Sequence, residues 1–318
     1  MDLVICNTPL QILQIENLIK KNIIKENNFH LLFFVYEETK KLTYYYNRLS
    51  KLSYSSYYFK CANFPFYILN LRKLFKGKKY KNIYTASIDN KIIHYILTFC
   101  DFNKIFTIDD GTANIFKSSS YYVEKKNHKA FISKIVHLIL GCKFDLKKTK
   151  NSIETHYTIY PNIPNIIKKT KNNNFIFPVK KMDKEKTQPK EINLFLGTVY
   201  DEVTYSKKEL ISLMKLFFSN KGFHYITHPR DNELYFDNVR YFDSLKSSEE
   251  IIIELLNEYD IVNLYGFNSS VQFNLMYVDG IKNHIITSNL INQSLKVSGY
   301  SFIELNLDEY YKKNHKFN

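Results

Sequence analysis

Residues 192–230 constrain the fold more than any other stretch of the chain. Residues 192–196 are a short apolar run that a glycine ends, which is typical of a buried parallel strand followed by a turn. Residues 206–218 carry apolar side chains at helical spacing, and residues 223–227 form a second apolar run. The stretch therefore predicts a β-α-β unit with both strands ending at the same edge of a sheet.

Polar residues follow both strands of this unit. Gly197 and Asp201 come after the first strand, and His228, Pro229 and Arg230 come after the second. Because ligands bind beyond the carboxyl ends of strands in open α/β sheets, one carboxylate and one imidazole are expected in the same crevice.

The same alternation of strands and helices runs through the rest of the chain. Apolar strand-like runs lie at residues 3–6, 31–36, 57–59, 83–86 and 105–108. Helical patterns lie between them, including a first helix to about Lys25 and helices at residues 66–75 and 91–99, and the alternation resumes after residue 191. Residues 168–188 are rich in Lys and Asn. The sequence thus predicts an α/β fold with a first domain at residues 1–165, a linker at residues 166–190 and a second domain at residues 191–318.

Two clusters in the first domain have a structural and a chemical interpretation. Thr8 before Pro9 is a plausible helix cap, and the amides behind it could also face a ligand. Asp109, Asp110 and Gly111 follow a strand. They form either a simple turn or a carboxylate pair that orients a sugar hydroxyl or takes a proton.

The second domain contains a candidate phosphate cradle. Asn268, Ser269 and Ser270 lie in a turn between a strand and a helix start, where hydroxyls and amides can bind an anion. Glu249 lies in the acidic first turn of another capped helix.

The net charge indicates which kinds of molecule the protein binds, and the cysteine content indicates its cellular compartment. The net charge is +14, from 45 basic and 31 acidic residues, which favours phosphate-bearing substrates or an anionic membrane. Nucleic acid is not expected, because no helix-turn-helix, zinc or RNA-binding aromatic pattern occurs. Four widely spaced cysteines and no signal-peptide pattern lead us to expect a cytoplasmic protein without metal.

The apolar helix predicted at residues 130–141 has a fringe of lysines. It is interpreted either as a buried domain helix, which is the simpler reading, or as a helix that lies on an anionic membrane interface. His137 within it is expected to be packed.

An ordered set of residues resembles one enzyme family. It comprises Cys6, Thr8, Leu10, Gln11, Ile83, Tyr84, Ala86, Ser87, Asp109 to Thr112, Asn114, Ser118 to Tyr121, Lys148, Thr149, Asn151, Glu154, His156 to Ile159, Leu196, Gly197, Asp201 and His228 to Arg230. Together these resemble the bacterial lipooligosaccharide sialyltransferases, glycosyltransferase family 52.

The resemblance implies a GT-B fold, two Rossmann-like domains that face each other across a cleft. It implies metal-independent, inverting transfer from CMP-sialic acid to a galactose-terminated glycan, with Asp201 as general base and His228 as phosphate-side acid. Gly197, Pro229, Arg230, Glu249, Asn268, Ser269 and Ser270 would bind the donor. Thr8, Gln11, Asp109, Asp110 and Gly111 would lie on the acceptor side.

Several alternatives stay open. Glu202 could replace Asp201 as the base, and the linkage could be α-2,3 or α-2,8, with α-2,3 expected. The acceptor could be lipooligosaccharide or capsule, and a homodimer at the inner face of the cytoplasmic membrane is compatible with the family. The competing functions are a GT-B transferase that uses another nucleotide sugar, and a non-catalytic basic protein that binds membrane or polysaccharide.

Overall fold

The computed structural model describes residues 1–123, 128–175, 188–219, 222–231, 233–292 and 302–314. The chain divides into two compact units, Met1–Ile176 and Phe177–Asn318. The boundary lies within the predicted linker, most of whose second half is outside the described residues.

The first unit is a parallel sheet with helices between its strands. The strands are β1 (Asp2–Cys6), β2 (Phe29–Val35), β3 (Ser55–Lys60), β4 (Lys79–Thr85), β5 (Asp101–Ile108), β6 (Ile153–Thr158) and β7 (Thr170–Asn172). The helices are α1 (Pro9–Lys20), α2 (Lys40–Ser50), α3 (Phe66–Phe75), α4 (Lys91–Phe99), α5 (His128–Ile139) and α6 (Leu146–Ser152). The strand order is β3-β2-β1-β4-β5-β6-β7.

The sheet is buried on both faces, which explains its continuous apolar strands. Leu3 and Ile5 of β1 belong to one core cluster, whereas Val4 and Cys6 belong to a second cluster on the other face. Successive side chains of a strand point to opposite faces, so a strand covered on both sides is apolar throughout.

The second unit repeats this plan. Its strands are β8 (Glu191–Leu196), β9 (Phe223–Ile226), β10 (Arg240–Tyr241), β11 (Ile261–Gly266), β12 (Ile281–Thr287) and β13 (Ile303–Asn306), in the order β10-β9-β8-β11-β12-β13. Its helices are α7 (Tyr200–Val203), α8 (Lys207–Phe218), α9 (Ser248–Leu255), α10 (Ser270–Asn274) and α11 (Leu307–Asn314).

Two elements differ from the sequence-based expectation. The first helix, expected to run to about Lys25, ends at Lys20 because Asn22 adopts a left-handed conformation with φ of 56°. The short strand β7 lies inside the predicted linker, where it pairs with β6 and belongs to the first sheet. Its three exposed polar residues carry no apolar alternation that a sequence pattern could reveal.

Helix α5 is only partly buried. His137 is packed as expected, with its Nδ1 2.8 Å from the Tyr95 hydroxyl. Leu138 and Ile139, however, are 70% and 79% exposed, so the buried-helix interpretation is wrong for the outer face. Among the described residues, no helix has the length and apolar character needed to cross a membrane.

Candidate active site

Each of the two sheets has a point where the strand order reverses, and in α/β proteins ligands bind beyond the carboxyl ends of the strands at such a point. In each unit the strand order reverses direction once, between β1 and β4 in the first sheet and between β8 and β11 in the second. A crevice forms at such a switch point beyond the carboxyl ends of the strands. The predicted site residues follow these strands.

Gly197 allows the exits of β8 and β9 to approach each other closely. Its amide donates a hydrogen bond of 2.8 Å to the carbonyl oxygen of Ile226. A Cβ atom at this position would lie 2.9 Å from that same oxygen and 2.9 Å from the ring of Tyr225. Only glycine fits there, so the residue serves the packing of the two loops.

The two adjacent carboxylates after β8 have different environments. Asp201 is exposed, with 68% of its side chain accessible, and accepts a hydrogen bond of 3.0 Å from Lys207 Nζ. Glu202 accepts two hydrogen bonds from the guanidinium of Arg230, at 2.7 and 2.9 Å. This bidentate pair lowers the pKa of Glu202 and connects the loop after β8 to the loop after β9.

His228 is held in one tautomer by its own loop. The backbone amide of Arg230 donates to His228 Nδ1 at 3.2 Å, so the ring proton of the neutral imidazole is on Nε2. Burial and then the charge of Arg230 lower the pKa of His228, while Glu202 and Asp231 oppose them. The ring can therefore offer an Nε2–H donor at neutral pH.

The loop after β11 carries the predicted phosphate cradle. Ser269 caps α10: its hydroxyl accepts from the Val271 amide, and Gln272 Oε1 accepts from the Ser269 amide. Asn268 has a φ of 59°, and its buried Oδ1 has no hydrogen-bond partner in the described part of the chain. A buried acceptor of this kind is the type of group that a ligand donor satisfies.

Glu249 and Ser270 occupy contrasting positions next to this loop. Ser270 is exposed at the start of α10. Glu249 is buried in the first turn of α9 and accepts a 2.8 Å hydrogen bond from Asn274 at the end of α10. In this conformation, Glu249 fixes α10 against α9.

In the first unit, Asp110 collects side chains from the exits of β1, β4 and β5. Its Oδ1 accepts from Gln11 Nε2 at 2.9 Å, and its Oδ2 accepts from Ser87 Oγ at 2.9 Å and from the Tyr121 hydroxyl at 3.0 Å. Thr8 caps α1 by accepting from the Gln11 amide, which orients Gln11. Burial raises the pKa of Asp110 although all three hydrogen bonds lower it.

Asp109 lies in the core of the first unit rather than on a surface. Its side chain is 0% exposed. His156 Nε2 lies 2.9 Å from its carboxylate, which also accepts from the hydroxyl of Thr158 and from the amide of Ile159. The residue ties β5 to the end of β6 and supports the turn that begins at Gly111, where φ is 55°.

The described residues contain no group of three His, Cys, Asp or Glu side chains that could hold a metal ion. Metal-independent chemistry stays a prediction. The loops after β9 and β11 carry hydrogen-bond donors, which include the Nε2–H of His228 and the hydroxyls of Ser269 and Ser270.

The model of glycosyltransferase family 52 matches residues 26–290 of this chain. The chain belongs to glycosyltransferase family 52. The match spans both units, and the resemblance noted from the sequence is confirmed. The chain is thus a glycosyltransferase.

Characterised relatives of this family 52 chain are named as α-2,3-sialyltransferases. It is 29% identical over 281 residues to the CMP-N-acetylneuraminate:beta-galactoside alpha-2,3-sialyltransferase of Pasteurella multocida, covering 87% of each chain. It is 26% identical over 299 residues to the N-acetyllactosaminide alpha-2,3-sialyltransferase of Haemophilus influenzae, covering 91% of this chain and 93% of that relative.

Solved structures share the fold at low sequence identity. The glycotransferase of kitacinnamycin superposes with a TM-score of 0.54 at 8% identity, covering 96% of this chain and 86% of that one. Arabidopsis thaliana UGT89C1 complexed with UDP-L-rhamnose gives a TM-score of 0.53 at 8% identity over the same shares. The predicted GT-B fold class is confirmed.

Sequence reasoning did not assign a site role to Ser87, Tyr121 or Lys207. The sequence did offer a signal for Ser87, because this residue comes directly after the predicted strand at residues 83–86. In the structure its φ is 47°, which is unusual for a serine. Tyr121 and Lys207 act through contacts that depend on the folded loops. Nothing in their local sequence separates them from the other tyrosines and lysines.

Proposed function

We propose that this family 52 chain is an inverting sialyltransferase that works without a metal ion. It would transfer sialic acid from CMP-sialic acid to a terminal galactose in α-2,3 linkage. The name of the Pasteurella multocida relative supports the donor, and the names of both relatives support a galactose-containing acceptor and the α-2,3 linkage. The single structural observation that carries the proposal is the His228 ring, fixed with its Nε2–H available beside Arg230.

His228 acts on the leaving group in this proposal. The bond between the anomeric carbon and the phosphate oxygen breaks, and its electron pair stays on CMP. The Nε2–H of the neutral His228 ring donates a hydrogen bond to that oxygen, and the Ser269 and Ser270 hydroxyls share the developing charge. The Arg230 guanidinium lies two residues from His228, and the Glu202 carboxylate balances its charge.

A carboxylate takes the proton of the acceptor hydroxyl as its oxygen bonds to the anomeric carbon. Asp201 suits this role better than Glu202, because Arg230 occupies both carboxylate oxygens of Glu202, whereas Lys207 binds only one oxygen of the exposed Asp201.

Asp110 is a second candidate for the base, from the first unit. Burial raises its pKa, which strengthens it as a proton acceptor, and it lies at the switch point of the acceptor-side domain. Its oxygens are already hydrogen-bonded by Gln11, Ser87 and Tyr121, so an acceptor hydroxyl would join this network.

The function is tested by incubation with CMP-sialic acid and lactose, with the linkage of the product determined by NMR. We expect an α-2,3 product, and we expect His228→Gln to lower kcat by about 10²–10⁴-fold with an unchanged fold. Near-normal turnover of His228→Gln would remove the imidazole from the mechanism.

Activity that is lost in EDTA and restored by Mn²⁺ would overturn the metal-independent mechanism.

Two other functions make different predictions. A transferase that uses another nucleotide sugar would turn over a UDP-sugar in preference to CMP-sialic acid. A non-catalytic basic protein would show no thermal shift with CMP. We expect a thermal shift with CMP and none with UMP.

We also propose that the protein contacts the inner face of the cytoplasmic membrane, where a lipid-linked glycan acceptor is accessible. The support is the outer face of α5, on which Ile132, Ile135, Leu138 and Ile139 are exposed in a chain of net charge +14. A homodimer stays a prediction, which analytical ultracentrifugation tests.

A further inference from the structure

The first unit contains a cavity of about 580 Å³ that no role above uses. It lies at the carboxyl edge of the sheet, beyond the ends of β2 and β3 and at the start of α4. Its walls include Tyr36, Glu37, Asn63, Phe64, Asp89 and Asn90. The volume falls within the range of about 300–1,000 Å³ that is typical of sites for small ligands.

The lining combines aromatic surface with fixed polar groups. Asn90 Oδ1 accepts from the Ile92 amide at 2.9 Å, and Asn90 Nδ2 donates to the Tyr36 hydroxyl at 3.0 Å. These bonds fix the amide and the phenol before any ligand binds. Phe64 is 52% exposed at the mouth of the cavity. Aromatic surface beside oriented donors and acceptors suits a pyranose ring, which has apolar C–H faces and a polar rim.

The charge of the cavity favours a neutral sugar over a nucleotide as its ligand. Its charged lining residues are Glu37, Asp89 and Lys91, which give one net negative charge, whereas the whole chain carries +14. A phosphate group would be repelled by the two carboxylates. Neutral sugar hydroxyls, in contrast, are good donors to carboxylate oxygens.

The cavity is connected directly to the Asp110 cluster. Ser87, which donates to Asp110, lies two residues before Asp89, which lines the cavity. The Asp89 carboxylate accepts a 2.7 Å hydrogen bond from Ser120, one residue before Tyr121. A ligand in the cavity is therefore held by the same chain segments that hold Asp110.

We propose that this cavity binds the pyranose rings of the acceptor glycan and so determines acceptor affinity. This inference rests on the proposed sialyltransferase function. The cavity selects a neutral galactose-terminated oligosaccharide by stacking on Phe64 and Tyr36 and by hydrogen bonds to Asp89 and Asn90.

Steady-state kinetics with lactose and CMP-sialic acid test the proposal. We expect Phe64→Ala and Asp89→Asn to raise the KM for lactose about tenfold, equivalent to about 1.4 kcal/mol. The KM for CMP-sialic acid should stay unchanged. Phe66→Ala is the matched control, since Phe66 is 62% exposed two residues away and does not line the cavity. Equal lactose KM values in Phe64→Ala, Asp89→Asn and wild type would overturn the proposal.

Saturation-transfer NMR with lactose and the full chain separates this inference from the proposed function, because no donor is needed. Lactose signals that are present with wild type and Phe66→Ala but lost with Phe64→Ala support the cavity even if no sialyl transfer occurs. Sialyl transfer to lactose combined with unchanged lactose signals in Phe64→Ala would sustain the function and overturn the cavity.

Discussion

Asp109 and Asp110 are adjacent in sequence and have opposite roles in the folded chain. Asp109 is fully inside the first unit and joins β5 to β6. Asp110 gathers Gln11, Ser87 and Tyr121 at the strand exits, and burial raises its pKa. A one-residue step along an extended chain turns a side chain to the other face, so Asp109 points into the core while Asp110 points to the network at the strand exits.

The neighbouring carboxylates Asp201 and Glu202 should differ in their kinetic effects. We expect Asp201→Asn to lower kcat by about 10²–10⁴-fold, because it removes the proposed base. Glu202→Gln should mainly raise the KM for CMP-sialic acid, because it weakens the ion pair that holds Arg230. Both constants are measured by CMP release. A loss of kcat in Glu202→Gln as large as that in Asp201→Asn would contradict this assignment.

His94 should make stability fall in acid. Its Nε2 donates to the Ile88 carbonyl, its buried Nδ1 has no partner in the described part of the chain, and burial lowers its pKa to about 4. The unfolded chain binds the proton near pH 6.5 and the folded chain only near pH 4. Stability therefore falls as the pH drops through this window, by on the order of 3 kcal/mol.

Urea unfolding between pH 7 and pH 4 measures this contribution. The variant His94→Gln should lose less stability over that interval than wild type, whatever its stability at pH 7. Parallel pH dependences of the two proteins would show that His94 is not the group responsible.

Among the secondary-structure elements, β8 and β9 are followed by two loops that contact each other at two places. Gly197 brings the strand exits together, and the Glu202–Arg230 ion pair joins the loops further out. The pair is exposed, so solvent screens it and it adds little to stability. The close backbone packing at Gly197 is the stronger constraint on where His228 lies.

Gly197→Ala should destabilise the second unit by about 1–3 kcal/mol, because its Cβ would overlap the backbone oxygen of Ile226 and the ring of Tyr225. Thermal unfolding measures the loss, and a melting temperature of Gly197→Ala equal to that of wild type would contradict the packing argument.

At the scale of the whole molecule, two sheets of the same strand order carry different chemistry. The order found for the first six strands of the first sheet recurs in all six of the second. The first unit presents Asp110 and a cavity of net negative charge. The second presents His228, Arg230 and the serines of α10. Repetition of one fold thus supplies two strand edges, and the loops give each edge its chemistry.

The charge of the whole chain and the apolar face of α5 together predict binding to anionic vesicles. We expect flotation with phosphatidylglycerol vesicles, weaker with phosphatidylcholine and reduced by salt. Leu138→Ser combined with Ile139→Ser should lower binding more than tenfold, because each buried aliphatic side chain contributes about 1.5–3 kcal/mol. Leu234→Ser, with Leu234 65% exposed in the second unit, is the control. Equal flotation of the double variant and wild type would exclude α5 as the contact.

The alternation of strands and helices was predictable from the sequence, because buried parallel strands and amphipathic helices leave local patterns of apolar residues. Helices α3 and α4 were predicted with their observed bounds for this reason. The sequence likewise predicted which polar residues follow the ends of the strands. Strand β7 could not, since its exposed polar side chains form no such pattern.

Which of these residues contact each other could not be predicted from the sequence. Contacts between different segments of the chain pair Glu202 with Arg230 and place three hydrogen-bond donors around Asp110. The exposure of the outer face of α5 likewise depends on how this helix packs. Local sequence patterns show which face of a single helix or strand is apolar. The burial, the pKa and the hydrogen-bond partner of a side chain depend instead on how neighbouring elements pack against it.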